Sequence, residues 1–148
     1  MPRYYKKKVF KAPKDKYSVE HTMIAVQGTP GTTTAQVIVP AVNLQGMRKV
    51  KHLTINACPS ADFIWAIVYV PQGMTYPGLD FTSGASLCEP NQFIMASGVA
   101  SDGAGPQRIS TRISRNLNSG DAIVLLVRPT GSTTATFAGV CSYAITLQ

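Results

Sequence analysis

Acidic side chains are scarce in this 148-residue chain: seven Asp and Glu stand against fourteen Lys and Arg, and Glu occurs only twice. Leu is also sparse, at eight. Without these strong helix formers, long surface helices are not expected. No apolar run approaches the roughly twenty residues that a membrane helix needs. The longest, FIWAIVYV at 63–70, is bounded by turn residues, so no membrane insertion is expected. The basic N-terminus has no apolar stretch behind it, which argues against a secretory signal. The three cysteines, Cys58, Cys88 and Cys141, are odd in number, far apart and form no C-x-x-C pair. Such a set fits free thiols in a reducing compartment better than a disulfide framework.

Catalytic chemistry is thin as well. The two histidines, His21 and His52, have no partner at metal-ligand spacing, so neither zinc nor any other cofactor is expected. Asp62 and a serine would complete a triad with His52, yet no G-x-S-x-G or comparable nucleophile context accompanies them. GTPGTT at 28–33 lacks the spacing of a phosphate loop and reads as a turn. The sequence therefore assigns no catalytic residue. A nuclease or hydrolase would need convergent carboxylates or histidines that are not apparent.

What is abundant is β-branched. Thr (14), Val (13) and Ile (10) make up a quarter of the chain, and Gly and Pro add 22 residues. Such residues suit pleated surfaces punctuated by turns. Eight strand-like segments are predicted, at about 17–27, 33–39, 46–56, 63–71, 91–99, 107–114, 120–128 and 135–147. Between them lie turn clusters such as QGTPG, CPSAD and NLNSGD. The last segment alternates, with Phe137, Cys141, Ile145 and Leu147 on one face and Thr136, Ser142 and Thr146 on the other. The run at 63–70 is apolar on both faces, as in a central strand or one facing a partner subunit. The pattern predicts an all-β sandwich or barrel. Periodicity alone leaves a jelly roll and an immunoglobulin-like sandwich both open. Trp65, Tyr69, Met74 and Tyr76 are candidate core or interface anchors. Asp62, Asp80, Glu89 and Asp102 fall in or beside turns, as cation ligands at subunit junctions or, more simply, as solvated loop residues.

The charge belongs to one end. Residues 1–16, MPRYYKKKVFKAPKDK, hold Arg3, Lys6, Lys7, Lys8, Lys11, Lys14 and Lys16 against Asp15 alone, a net of +6, while residues 17–148 carry a net of +1. Tyr4, Tyr5, Phe10 and Tyr17 are interleaved with these cations. Cations neutralise phosphates and rings stack on exposed bases, the combination that single-stranded nucleic acid binding calls for. A merely solubilising tail is the plainer alternative. Within RKVK at 48–51, alternation puts Lys49 and Lys51 on one strand face and Arg48 and Val50 on the other. The two lysines either face nucleic acid or charge an exposed edge against aggregation. Arg108 and Arg112 share a second face by the same spacing, with Arg115 nearby.

Five segments in order, VNLQGMRKVKHLTI, WAIVYVPQG, EPNQFIMASG, RISTRISRNLNSGD and the terminal YAITLQ, resemble capsid proteins of small circular, Rep-encoding single-stranded DNA viruses, the circovirus-like group. KDKYSVEHT is similar to their junction between tail and body, and the likeness runs from about residue 14 to 148. The resemblance implies a single eight-stranded viral jelly-roll sandwich over residues 17–148, preceded by a disordered basic arm over 1–16. It implies assembly into a closed T=1 shell of about sixty copies. The arm would point inward onto the packaged single-stranded DNA, and Arg3, Lys6, Lys7, Lys8, Lys11, Lys14 and Lys16 are the residues carried over to that role. A virion location follows, with passage through the host nucleus, where a host import receptor would read KKKVFKAPKDK. A cell-surface receptor is a further implied partner. The arm departs from many relatives in being short and rich in Lys rather than Arg, which favours non-specific packaging over bidentate phosphate recognition. The competing expectation is a non-capsid single-stranded DNA-binding β-barrel with a basic arm.

Overall fold

A computed structural model of the chain describes residues 16–74, 93–103, 105–112 and 114–147. The remaining residues, among them Arg3, Lys6, Lys7, Lys8, Lys11, Lys14, Tyr76, Asp80, Cys88 and Glu89, lie outside the described ones, and with them most of the basic arm. Nine strands and no helix occur among the described residues: β1 (Ser18–Gly28), β2 (Thr34–Val39), β3 (Arg48–Pro59), β4 (Phe63–Val70), β5 (Ile94–Ala100), β6 (Gln107–Ser110), β7 (Arg115–Leu117), β8 (Ala122–Pro129) and β9 (Ala135–Leu147). They form two antiparallel sheets. One runs β1-β9-β3-β6, with β7 also on β3; the other runs β2-β8-β4-β5. No strand belongs to both sheets, so the architecture is a sandwich and not a closed barrel. The pairings nest: β1 with β9, β2 with β8, β3 with β6 and β7, β4 with β5.

Eight strands were expected, and the difference lies in the segment 107–114. It divides into β6 and β7, which lie end to end along the same side of β3. The cause is in β3, which carries one extra residue between Lys51 and Thr54 relative to Ala144 and Ser142 of β9. His52 takes φ 54 there, a left-handed conformation that non-glycine residues seldom adopt outside turns and bulges. The bulge leaves the Leu53 carbonyl without a ladder partner, and Thr111 takes it with both its N–H (2.9 Å) and its Oγ1 (3.2 Å). Thr111 is thereby pulled out of the β6 register, and the ladder resumes only at Arg115.

Inward positions of the two sheets interdigitate as alternation dictates. Ile24, Val26, Ile55, Phe137 and Cys141 meet Ile38, Phe63, Trp65, Ile67 and Leu125, all buried. Phe63 and Phe137 cross edge-to-face at 5.4 Å and 80° between the sheets, a geometry that suits their ring quadrupoles. The FIWAIVYV run is an interior strand, β4, between β8 and β5. Its second face is covered too: Ala66 and Val68 are fully buried with Leu126 of β8. Gly139 of β9 lies where a Cβ would fall on the Asn56 carbonyl oxygen of β3, so only glycine lets these two backbones approach so closely. Trp65 is a core residue, Tyr69 packs against the core from its edge, and Met74 is exposed. Thr146, expected on the polar face of β9, is buried.

Candidate nucleic-acid interface

Lys16 is exposed and stands two residues before β1, so the basic segment joins the body at the outer strand of the five-stranded sheet. The register fixes which residues point away from the core of that sheet. They are Val19, His21, Met23, Ala25 and Gln27 of β1, the even-numbered residues of β9, Lys49, Lys51, Thr54, Asn56 and Cys58 of β3, Arg108 and Ser110 of β6, and Asn116 of β7. Among these outward positions are three cations and no carboxylate. Lys49 and Lys51 do share a face, opposite the buried Arg48 and Val50. Their alternative reading, as guards of an exposed edge, does not fit: β3 is paired on both sides, by β9 and by β6 and β7. Arg108 points outward, whereas Arg112 falls in the break after β6 and does not share its ladder.

Lys51 does not extend freely into solvent. Its Nζ lies 4.7 Å from the centre of the Tyr17 ring, a cation–π contact that fixes the junction between arm and body over the sheet. A nucleic acid following the arm thus meets Tyr17 and Lys51 first, then Lys49 and Arg108.

The end of the sandwich near β7 is organised by a residue the sequence reading passed over, Asp121. Its buried carboxylate accepts hydrogen bonds from Tyr69 Oη (2.7 Å), the Gln72 N–H (3.0 Å) and the Asn118 N–H (2.7 Å). Burial works to raise its pKa, but the hydrogen bonds from Tyr69, Asn118 and Gln72 and the charge of Arg115 prevail and hold it below the ordinary value. Burial and the Asp121 carboxylate push Tyr69 upward in turn. Arg115 sits over the Tyr69 ring, 4.0 Å from its centre. The buried guanidinium of Arg48 donates to two carbonyls, those of Pro40 and Asp121, each at 3.0 Å. The NSGD turn carried the available signal: Gly120 takes φ 83, and Asp follows it, the residue type that hydrogen-bonds back to a turn. Arg48 was legible through its shared parity with Val50.

Two recesses open at this end. The larger, about 570 Å³, lies between β1, the β2–β3 connection and the end of β9, with Val42, Leu44 and Ile145 as its apolar floor. Its polar groups satisfy one another. Tyr143 Oη donates to Glu20 Oε2 at 2.8 Å, and burial, reinforced by Glu20, pushes the Tyr143 hydroxyl up to about 12. The second recess, about 490 Å³, is polar and is lined by Lys49, Tyr69, Ser114, Arg115, Asn116 and Asn118.

Among the described residues no group of three or more His, Cys, Asp or Glu is placed to hold a metal ion. Asp62 is exposed, and its carboxylate accepts the Asp102 N–H at 2.8 Å, tying two loops together. His52 is exposed on the β3 bulge. Cys58 and Cys141 are free thiols, the first exposed and the second buried. No protein-family model matches this chain, and no curated protein matches it either.

Proposed function

We propose that this chain is the structural capsid protein of a small circular single-stranded DNA virus. About sixty copies close into an icosahedral shell, and each basic arm neutralises packaged DNA inside it. The observation that carries the reading is the nested pairing of the two sheets behind a basic N-terminal segment. Counting β6 and β7 as one interrupted strand, the first strand pairs with the last, the second with the next to last, and so inward to the β4–β5 hairpin. That is the winding of a jelly roll, a fold used by viral capsid domains. The capsid-like motifs fall on its framework: GMRKVKHLTI on β3, WAIVYV on β4, FIMASG on β5, RIS and RNL on β6 and β7, and YAITL on β9. The carboxylate-free outer face of the five-stranded sheet, continuous with the arm, gives the DNA a cationic lining. The sandwich has separate sheets, which weighs against the alternative of a closed single-stranded DNA-binding barrel.

The test is to express the chain alone and examine it by negative-stain electron microscopy with absorbance at 260 and 280 nm. Closed particles carrying nucleic acid are expected. A protein that stays monomeric across salt and pH refutes the reading. Deleting residues 1–16 is expected to leave particle formation intact while sharply lowering the nucleic acid content; normal packaging by that variant refutes the role of the arm.

A further inference from the structure

The polar recess beside β7 is unlike the rest of the surface in its balance of donors and acceptors. Lys49 and Asn116 are direct partners across the β3–β7 pair, so ammonium and amide stand side by side at its mouth. Arg115 contributes a second cation, held against the Tyr69 ring at 4.0 Å. A guanidinium braced in this way is pre-organised for an oxyanion. Ser114 and Asn118 add a hydroxyl and an amide at either end of β7. The nearby carboxylate, Asp121, is turned inward and accepts from Tyr69, Gln72 and Asn118. It keeps the Arg115 seat in place while its oxygens are occupied by protein donors. The larger recess offers no comparable set, because Arg48 is spent on the Pro40 and Asp121 carbonyls and Glu20 brings a negative charge to its rim.

We propose that Lys49, Arg115, Asn116 and Asn118 form a phosphate-binding site, whose ligand is a backbone phosphate of single-stranded DNA. In this it rests on, and deepens, the packaging reading. The recess is large enough for one nucleotide unit, and Lys49 opens onto the same sheet face as Lys51 and Arg108. One phosphate of the strand crossing that face is therefore held by two cations and the amides beside them, where elsewhere the strand meets single charges. Recognition is of the phosphate and not of the base.

The test uses the full chain and compares Asn116→Asp, which sets a carboxylate opposite Lys49, with Gln27→Glu. The second variant changes net charge equally but lies ten residues away along β9, about 30 Å at strand rise. Binding of fluorescein-labelled (dT)6 is followed by anisotropy, and binding of inorganic phosphate by calorimetry. Asn116→Asp is expected to weaken (dT)6 binding about tenfold more than Gln27→Glu does, and Lys49→Gln to reduce the salt slope by about one. If the native chain binds (dT)6 but Asn116→Asp and Lys49→Gln behave like Gln27→Glu, the site is overturned while packaging stands. If the native chain binds no (dT)6, the packaging reading fails, and the phosphate titration then judges the site alone. Phosphate binding that Asn116→Asp weakens and Gln27→Glu does not upholds an oxyanion site for free phosphate; no phosphate binding overturns it.

Discussion

Replacing Asp121 by alanine removes the hub of the β7 end. Three donors lose their acceptor: Tyr69 Oη, and the N–H groups of Asn118 and Gln72. A hydrogen bond to a charged group contributes about 1.5–3 kcal/mol. Gln72 is exposed and Asn118 lies at a turn, so water replaces part of what those two lose. The half-buried Tyr69 hydroxyl and the Arg115 seat above it are not so easily compensated. The expected cost is therefore about 3–4 kcal/mol, below the simple sum of three bonds. With a urea slope of about 2 kcal/mol per molar, that moves the unfolding midpoint down by about 1.5–2 M. The single tryptophan, Trp65, is 7% exposed in the core, so its fluorescence reports the transition, read at one fixed protein concentration. Asp121→Asn keeps one acceptor oxygen but aims an NH₂ at a donor, and should cost about 2 kcal/mol. The acid limb separates charge from shape. Because folding lowers the Asp121 pKa, its contribution is complete above about pH 4. That contribution is lost as pH falls through the folded-state value. The stability gap between the native chain and Asp121→Asn should narrow on acidification from pH 6 to pH 2.5. A midpoint shift under 0.5 M for Asp121→Ala, or a gap that stays constant with pH, refutes this account of Asp121.

Three further outcomes follow from the same geometry. Gly139→Ala drives a Cβ into the Asn56 carbonyl of an interior strand pair, and should destabilise by at least 2 kcal/mol; an unchanged melting temperature contradicts the close approach of β9 and β3. Gln36 closes the free edge of β1 by accepting from the Ala25 N–H (3.1 Å) and donating to the Met23 carbonyl (2.9 Å). Gln36→Ala should cost only about 1 kcal/mol yet raise light scattering and thioflavin binding by exposing that edge; scattering equal to the native chain argues against an edge-guarding role. In peptide-mapped alkylation, exposed Cys58 should react under native conditions at neutral pH. Burial pushes the Cys141 thiol up to about 12, so it should react only after unfolding; native labelling at Cys141 would contradict its place in the core.

Strands were legible wherever one physical signal dominated. Alternation in Arg48–Lys49–Val50–Lys51 sorted the four side chains to the two faces seen in β3, and the two-faced run 63–70 marked an interior strand. Where two signals competed, the reading failed. RISTRIS alternates well enough for one strand, but its continuity depends on β3, whose bulge at His52 has no sequence signature because histidine does not advertise a left-handed φ. The edge status of Lys49 and Lys51 was beyond the local pattern for the same reason, since strand neighbours are settled by long-range pairing. Asp121 escaped notice because its three partners come from the turn at 118–121, the end of β4 and the segment after it. Its neighbour in sequence, Gly120, announced only a turn.

The arm and the sheet face carry different amounts of charge toward the same polyanion, and the difference has a consequence for packaging. On the capsid reading, about sixty arms at +6 each replace counterions on roughly 360 phosphates. Lys49, Lys51 and Arg108, on a face without carboxylates among the described outward positions, add three charges per copy, or roughly 180 more phosphates. A third of the neutralising charge then belongs to the folded body. The face cations are held by a rigid sheet, so they cannot follow the strand as an arm can, and their contribution depends on closed geometry. Removing them together, as Lys49→Gln, Lys51→Gln and Arg108→Gln, should lower encapsidated nucleic acid by about a third in particles that still close, measured from the 260/280 absorbance ratio. Loss of nearly all nucleic acid would mean that the arm acts only through the face. No loss at all would mean that the face does not line the DNA.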